Sequence, residues 1–320
     1  MSPTPVVMDV DTGIDDALSL LFAVRSPDID LRAVTCVTGN APVDQVVRNT
    51  LYVLDAAGAP EIPVARGATH PLLVDPEHAG HVHGADGLGG FSRPSDRRAS
   101  SSTAVQLLHQ VLMTAIGIGE RITLVPSAPL TNIALLLRTH PEVAPGIERI
   151  LFMGGSAGRG NATAAAEFNI WHDPEAAAVA LRAAGELDIP VTMYGLDVFE
   201  DVVVTVDEAD RLAALPDPAA QLAGRLLRFS ARTFGRDGAT IGDAGTVCAV
   251  ADPDGLTTQL LPVQVVLDSG PARGQTLVDR RTWAGDHSTD PNPLRATGVD
   301  VALAVDGPRY AQLWLSTLGG

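Results

Sequence analysis

Short aliphatic and β-branched runs alternate along this chain with longer stretches whose apolar residues recur at helical spacing. TPVVMDV (4–10) predicts a buried strand, and DDALSLLFAVR (15–25) places Ala17, Leu20, Leu21 and Val24 on one helical face. LRAVTCV (31–37) predicts a second strand, and PVDQVVRNTLYVLDAAG (42–58) a second helix that ends at a glycine. RITLVP (121–126), IERILFMGG (147–155) and IPVTMYG (189–195) read as further strands with helical stretches between them. Strands separated by helices of this length imply βαβ units, hence an α/β fold with a mostly parallel central sheet flanked by helices. Later the pattern loosens. It predicts helices near 207–215 and 217–235, strands near 263–268, 274–278 and 299–305, and a terminal helix at 307–318. No repeat or long low-complexity linker interrupts it, and the polar stretch 92–102 is too short to separate domains. One domain over residues 1–320 is expected.

The first strand-to-helix junction breaks the apolar pattern. In DVDTGIDD, Asp9, Asp11, Asp15 and Asp16 fall within eight residues, between valine and methionine on one side and leucine on the other. Such carboxylates repel one another unless a cation, ordered donors or a substrate offsets them. Ligands of open α/β sheets bind beyond the carboxyl ends of the strands, which is where these acids lie. Two of them would also open a helix, whose positive end favours acids. One or two caps are unremarkable; four acids point to a hard cation such as Ca²⁺ or Mg²⁺. The register is not that of an EF-hand loop. An opening DxD after an apolar strand also fits a haloacid-dehalogenase-type phosphatase, a reading that normally needs a downstream lysine or arginine.

Composition narrows the choice. All 22 basic residues are arginine, so chemistry that requires a lysine is excluded, including a P-loop or a Schiff base. The net charge of −16 argues against a nucleic-acid or anionic-membrane partner. With 46% hydrophobic residues, no membrane-length apolar run and no signal-peptide pattern at the start, a cytoplasmic globular protein is expected. Cys36 and Cys248 are too few for a disulfide framework or a cysteine-built zinc site. His70, His78, His81 and His83 crowd one stretch, but no cysteine or acid supports them at zinc-ligand spacing.

DVDTGIDD resembles the N-terminal signature of the inosine–uridine-preferring nucleoside hydrolases. Later blocks are similar to that family's in the same order: TGN (38–40), VHGADGLGG (82–90), LVPSAPLTNIAL (124–135) and MGGSAGRGNATAAAEFNIWHDPEAA (153–177). The resemblance implies a Rossmann-like nucleoside hydrolase fold and Ca²⁺-dependent cleavage of the N-glycosidic bond of a ribonucleoside. It implies Asp11, Asp16, Asp243 and the Ser127 carbonyl as metal ligands, with Asp11 also the general base. Asp15, Asn40, Asn161, Glu167 and Asn169 match ribose-binding positions, Met153 packs beside the sugar, and His83 matches a histidine near the base. A homodimer or homotetramer is implied as well. Asp9 is left as an acid that orients the loop. Glu167 and Asn169 alternate across Phe168, so an extended segment would project both to one side.

The last block departs from the family. GDAGTVCAVADP (242–253) keeps Asp243, but Gly242 stands where many members have a histidine that protonates the leaving base, and Ala244 where they have proline. Losing a general acid costs about 10² to 10⁴ in rate unless another group replaces it. His83 is one replacement; a nucleoside whose leaving group needs little protonation, or stacking on Trp283 or Phe234, is a second reading. A non-catalytic ribose-binding protein is the third reading of the same departure.

Overall fold

The computed structural model describes residues 2–281 and 296–319; Trp283 lies outside them. Eleven strands are described: β1 Thr4–Val10, β2 Ile29–Cys36, β3 Val64–Arg66, β4 Ile122–Pro126, β5 Ile147–Met153, β6 Val191–Tyr194, β7 Val203–Thr205, β8 Gly238–Thr240, β9 Leu256–Val265, β10 Thr276–Val278 and β11 Thr297–Val305. The helices are α1 Ile14–Arg25, α2 Val43–Ala56, α3 Gly80–His83, α4 Ala104–Ile118, α5 Thr131–Thr139, α6 Phe168–His172, α7 Pro174–Glu186, α8 Leu196–Phe199, α9 Val206–Ala214, α10 Pro218–Phe234, α11 Ala244–Ala251 and α12 Gly307–Thr317.

Nine strands form one sheet in the order β10-β9-β11-β6-β5-β4-β1-β2-β3. From β3 across to β11 every pairing is parallel; β9 runs antiparallel to both β10 and β11. The expected α/β architecture is therefore present, with an antiparallel edge. β9 begins and ends earlier than the 263–268 expected, because its first half is polar and exposed and carries no strand periodicity. β3, and the separate β7–β8 pair, are three residues each, too short to produce a pattern.

β1 shows why the interior strands read as continuous apolar runs. Val6, Met8 and Val10 enter the core under α1, α2, α10 and α12, while Val7 enters the core under α4, α5 and α7. Both faces are covered, as a parallel sheet requires. The chain builds outward from β1 in one direction through β2 and β3, then returns to build β4, β5 and β6 on the other side. That reversal opens a crevice beyond the carboxyl ends of β1 and β4, with the four aspartates on one lip and Ser127 on the other. The C-terminal helix closes the molecule: Trp314, fully buried, donates its indole N–H to the carbonyl of Leu18 in α1 (3.2 Å). Among the described residues, no helix is long and apolar enough to cross a membrane.

Candidate active site

Asp9 still belongs to β1, and the pleat turns it to the Val7 face. There it accepts hydrogen bonds from Thr35 Oγ1 (2.6 Å) and Asn132 Nδ2 (2.8 Å). Asn132, from α5, also donates to the Cys36 carbonyl (3.1 Å) and accepts from the Ala68 N–H (3.0 Å). Asp9 thus ties β1, β2 and α5 together beneath the loop. Burial pushes its carboxyl up to about 7 in spite of those two donors.

Asp16 occupies the third position of α1 and accepts from the Gly13 N–H (3.0 Å) and Ser127 Oγ (2.8 Å). Ser127 therefore reaches the acids through its hydroxyl, while the resemblance implied a role for its carbonyl alone. Asp11 accepts from the Asn40 N–H (2.6 Å) and Asn40 Nδ2 (3.1 Å), and it lies within hydrogen-bonding reach of Asp16. The loop after β2 comes so close that a Cβ at Gly39 would stand 2.0 Å from Asp11 Oδ2, so only glycine fits. Asp243, at the entrance to α11, completes the cluster: carboxylate oxygens of Asp15, Asp16 and Asp243 all lie within 4.8 Å of one another.

These acids are poorly compensated. Burial raises the pKa of Asp11, Asp16 and Asp243 above the ordinary carboxylate range. Mutual repulsion adds to it, from Asp16 on Asp11 and from Asp15 on both Asp16 and Asp243. Among the described residues no arginine pairs with any of the five, and the nearest basic group is His83, 3.8 Å from Asp15. The buried Oδ1 of Asp15 has no hydrogen-bond partner. A set of oxygen donors short of positive charge, with one orphaned oxygen, fits a hard divalent cation.

A cavity of about 680 Å³ opens above the cluster, lined by every site residue predicted from sequence except Asp11 and Asp16, which lie deeper. Its far wall comes from the segment between β5 and α7. Glu167 caps α6, accepting from the N–H groups of Asn169 (2.9 Å), Ile170 (3.2 Å) and Gly155 (2.9 Å). Phe168–His172 is helical, not extended, so alternation is not what brings Glu167 and Asn169 together. They converge because the cap folds the glutamate back over its own helix. Burial pushes Glu167 up to about 7, against the pull of the three N–H groups. Asn169 gives its amide nitrogen to the carbonyls of Ser127 (3.2 Å) and Met153 (3.1 Å). Asn161, exposed at the rim, accepts from the Phe168 N–H (2.8 Å).

His83 ends the short α3 and is buried against the acid loop. Its Nδ1 accepts the N–H of Ile14 (3.1 Å), which leaves the proton of the neutral ring on Nε2. Burial holds its pKa below the usual histidine value, with the Asp15 charge opposing. Gly242 takes up a left-handed conformation (φ +55°), and a Cβ there would lie 2.6 Å from Asp15 Cβ and 2.9 Å from Phe199 Cζ. Gly242 is thus a close-packed backbone contact, and a histidine has no room at this position. Phe199, Trp171, Arg236 and Thr240 also line the cavity and were not read from the sequence. Phe199 sits in a four-residue helix and Thr240 in a three-residue strand, both without periodicity. Phe234 lines the same wall but is half exposed.

Residues 6–312 match the family described as inosine-uridine preferring nucleoside hydrolase. The chain is 39% identical over 287 residues to the pyrimidine-specific ribonucleoside hydrolase RihA of Shewanella baltica, covering 88% of each. Among solved structures it superposes on a plant nucleoside hydrolase, PpNRh1, with a TM-score of 0.88 at 31% identity over 99% of both chains. It superposes on the purine-preferring ribonucleoside hydrolase of Gardnerella vaginalis with a TM-score of 0.86 at 30% identity over 98% of both.

Proposed function

The chain belongs to the inosine–uridine preferring nucleoside hydrolase family, and from that premise we propose that it cleaves a ribonucleoside to free base and ribose with the help of Ca²⁺. The observation that carries this reading is the convergence of Asp11, Asp15, Asp16 and Asp243 at the crevice between β1 and β4, beneath a cavity of nucleoside size. Asp11, Asp16, Asp243 and the Ser127 carbonyl would hold the ion. Held there, Ca²⁺ would supply the missing positive charge, would lower the pKa of a neighbouring water and would draw in hydroxyl oxygens.

The protein's own groups supply the rest. Asp11 takes the proton of the attacking water, its carboxylate oriented by the two nitrogens of Asn40. Asp15, Asn40, Asn161, Glu167 and Asn169 engage the ribose hydroxyls, and Met153 packs beside the ring. As the C1′–N bond breaks, positive charge grows on the sugar, and the surrounding carboxylates favour it. The departing base leaves toward His83, whose Nε2–H, fixed by the Ile14 contact, donates a hydrogen bond to it as negative charge develops. The proton taken up by Asp11 is passed on through solvent to the base. The water oxygen ends on C1′ and a proton on the base. Nothing in the fold or the comparisons favours the phosphatase reading.

The test is a panel of ribonucleosides incubated with Ca²⁺, followed by chromatography for base and ribose. Both uridine and cytidine, and inosine and guanosine, belong in it, because the relatives are named for pyrimidine and for purine substrates. Release of base from at least one is expected. Ligand binding by calorimetry with no base released from any would favour a non-catalytic ribose-binding protein instead. Asp11→Ala should abolish turnover and weaken Ca²⁺ binding; retained turnover would overturn its assignment as base. A homodimer or homotetramer is the assembly expected, to be read by sedimentation.

A further inference from the structure

A second convergence of donor atoms lies away from the acidic pocket. His109 stands in the middle of α4, His140 ends α5, and Glu142 follows in the 3₁₀ turn Pro141–Gly146 that leads into β5. β5 starts at the amino end of the parallel strands, the end opposite the aspartates, so this cluster and the proposed active site are separate. His109 Nε2 is 3.3 Å and His140 Nδ1 3.1 Å from the same oxygen, Glu142 Oε1. The two imidazole centroids are 4.4 Å apart with planes tilted by 43°. One ligand atom from each of the three residues lies within 4.8 Å of the other two. The backbone beneath is fixed: the His140 N–H bonds the Leu136 carbonyl (2.8 Å), and the His140 carbonyl accepts from Val143 (3.1 Å). Val143 is buried in the same core as Leu108 and Leu112 of α4.

We propose that His109, His140 and Glu142 form a binding site for a divalent first-row transition metal, with Zn²⁺ as its best occupant. Zinc takes imidazole and carboxylate donors at about 2.0–2.2 Å in a tetrahedron, which sets neighbouring donors roughly 3.3–3.5 Å apart. The two nitrogen-to-oxygen distances are already close to that spacing, and small side-chain rotations bring in the third edge. Two nitrogens and one oxygen suit zinc rather than calcium, which prefers oxygen alone. All three side chains are partly exposed, so the ion enters from solvent and keeps a water as its fourth ligand. Once bound, it clamps α4 to the connection between α5 and β5.

The experiment is calorimetric titration of Zn²⁺ into tag-free protein held in saturating Ca²⁺, with His109→Ala and His140→Gln beside the wild type. The acidic pocket is another place for zinc, so the quantity read is the difference between proteins. The wild type should show a zinc event that each variant weakens by more than the about 10- to 100-fold seen when only an outer-shell partner of a metal ligand is lost. Co²⁺ should give the intense visible bands of a four-coordinate ion in the wild type and not in the variants. Nucleoside cleavage should be equal in all three. Glu142→Gln, on an exposed turn, reads the same event if His109→Ala fails to fold. Equal zinc affinity in wild type and variants, with no difference in the cobalt spectrum, overturns the proposal.

Discussion

Gly242 shows how a single position changes meaning once its backbone is seen. By resemblance it stands for an absent histidine, and restoring that histidine should restore an acid. The left-handed φ and the 2.6 Å approach to Asp15 Cβ say otherwise. A residue with a Cβ costs about 1–2 kcal/mol in that conformation, and it must also push Asp15 aside. Gly242→His is therefore expected to lower kcat/KM for every nucleoside and to lower the thermal midpoint; a gain of turnover on any substrate would refute the steric argument. Ser127 carries a companion prediction. Ser127→Thr keeps the hydroxyl that reaches Asp16, whereas Ser127→Ala leaves a buried carboxylate short of a donor, a change of about 1–3 kcal/mol in chemical denaturation.

At the level of elements, the junction of α6 and α7 links the far wall of the cavity to pH. His172 is the last residue of α6, and Asp173 caps α7 by accepting the Ala176 N–H (3.0 Å). Burial first, and His78 second, bring the His172 pKa down to about 4 from 6.5. The unfolded chain thus binds a proton between those values that the folded chain refuses, so stability rises with pH across that window. Acidifying from pH 6.5 to 4 should withdraw on the order of 3 kcal/mol through this residue. His172→Phe should flatten that region of the stability curve, and an unchanged curve would show that the ring is not the titrating group. The elements legible in sequence were the long periodic ones and the strands buried on both faces. The aspartates stood out because charge inside an apolar run has few structural excuses. Phe199, Arg236 and Thr240 left no such trace, since what places them is the packing of short segments against distant ones. Edge strand β9 was hidden for the opposite reason: it buries too little to need a pattern.

For the molecule as a whole, the cavity is a meeting of strand ends, so whatever occupies it should stabilise the entire fold. Ca²⁺ at about 100 times its Kd stabilises a native state by about 2.7 kcal/mol. For 320 residues that is about 4 °C at average unfolding entropy. Scanning calorimetry with and without chelator checks it, and an unchanged midpoint would argue against a cation in the acidic pocket. The position of β1 has a further consequence, in time rather than in energy. β1 is made before the other described strands but lies inside the sheet, where Val6 to Asp9 pair with Thr123 to Pro126 of β4. At about 5–20 residues per second, β4 is synthesised roughly 6–23 s after β1, and α12, which anchors α1 through Trp314, later still. Through that interval one side of an apolar strand waits without its β4 partner, and the acids that follow it are of the charged kind that guards such a segment from self-association. Asp15→Asn with Asp16→Asn should then reduce soluble yield during synthesis by more than the loss of equilibrium stability accounts for. Carboxylates proposed for the site of the finished enzyme would first keep the unfinished chain in solution.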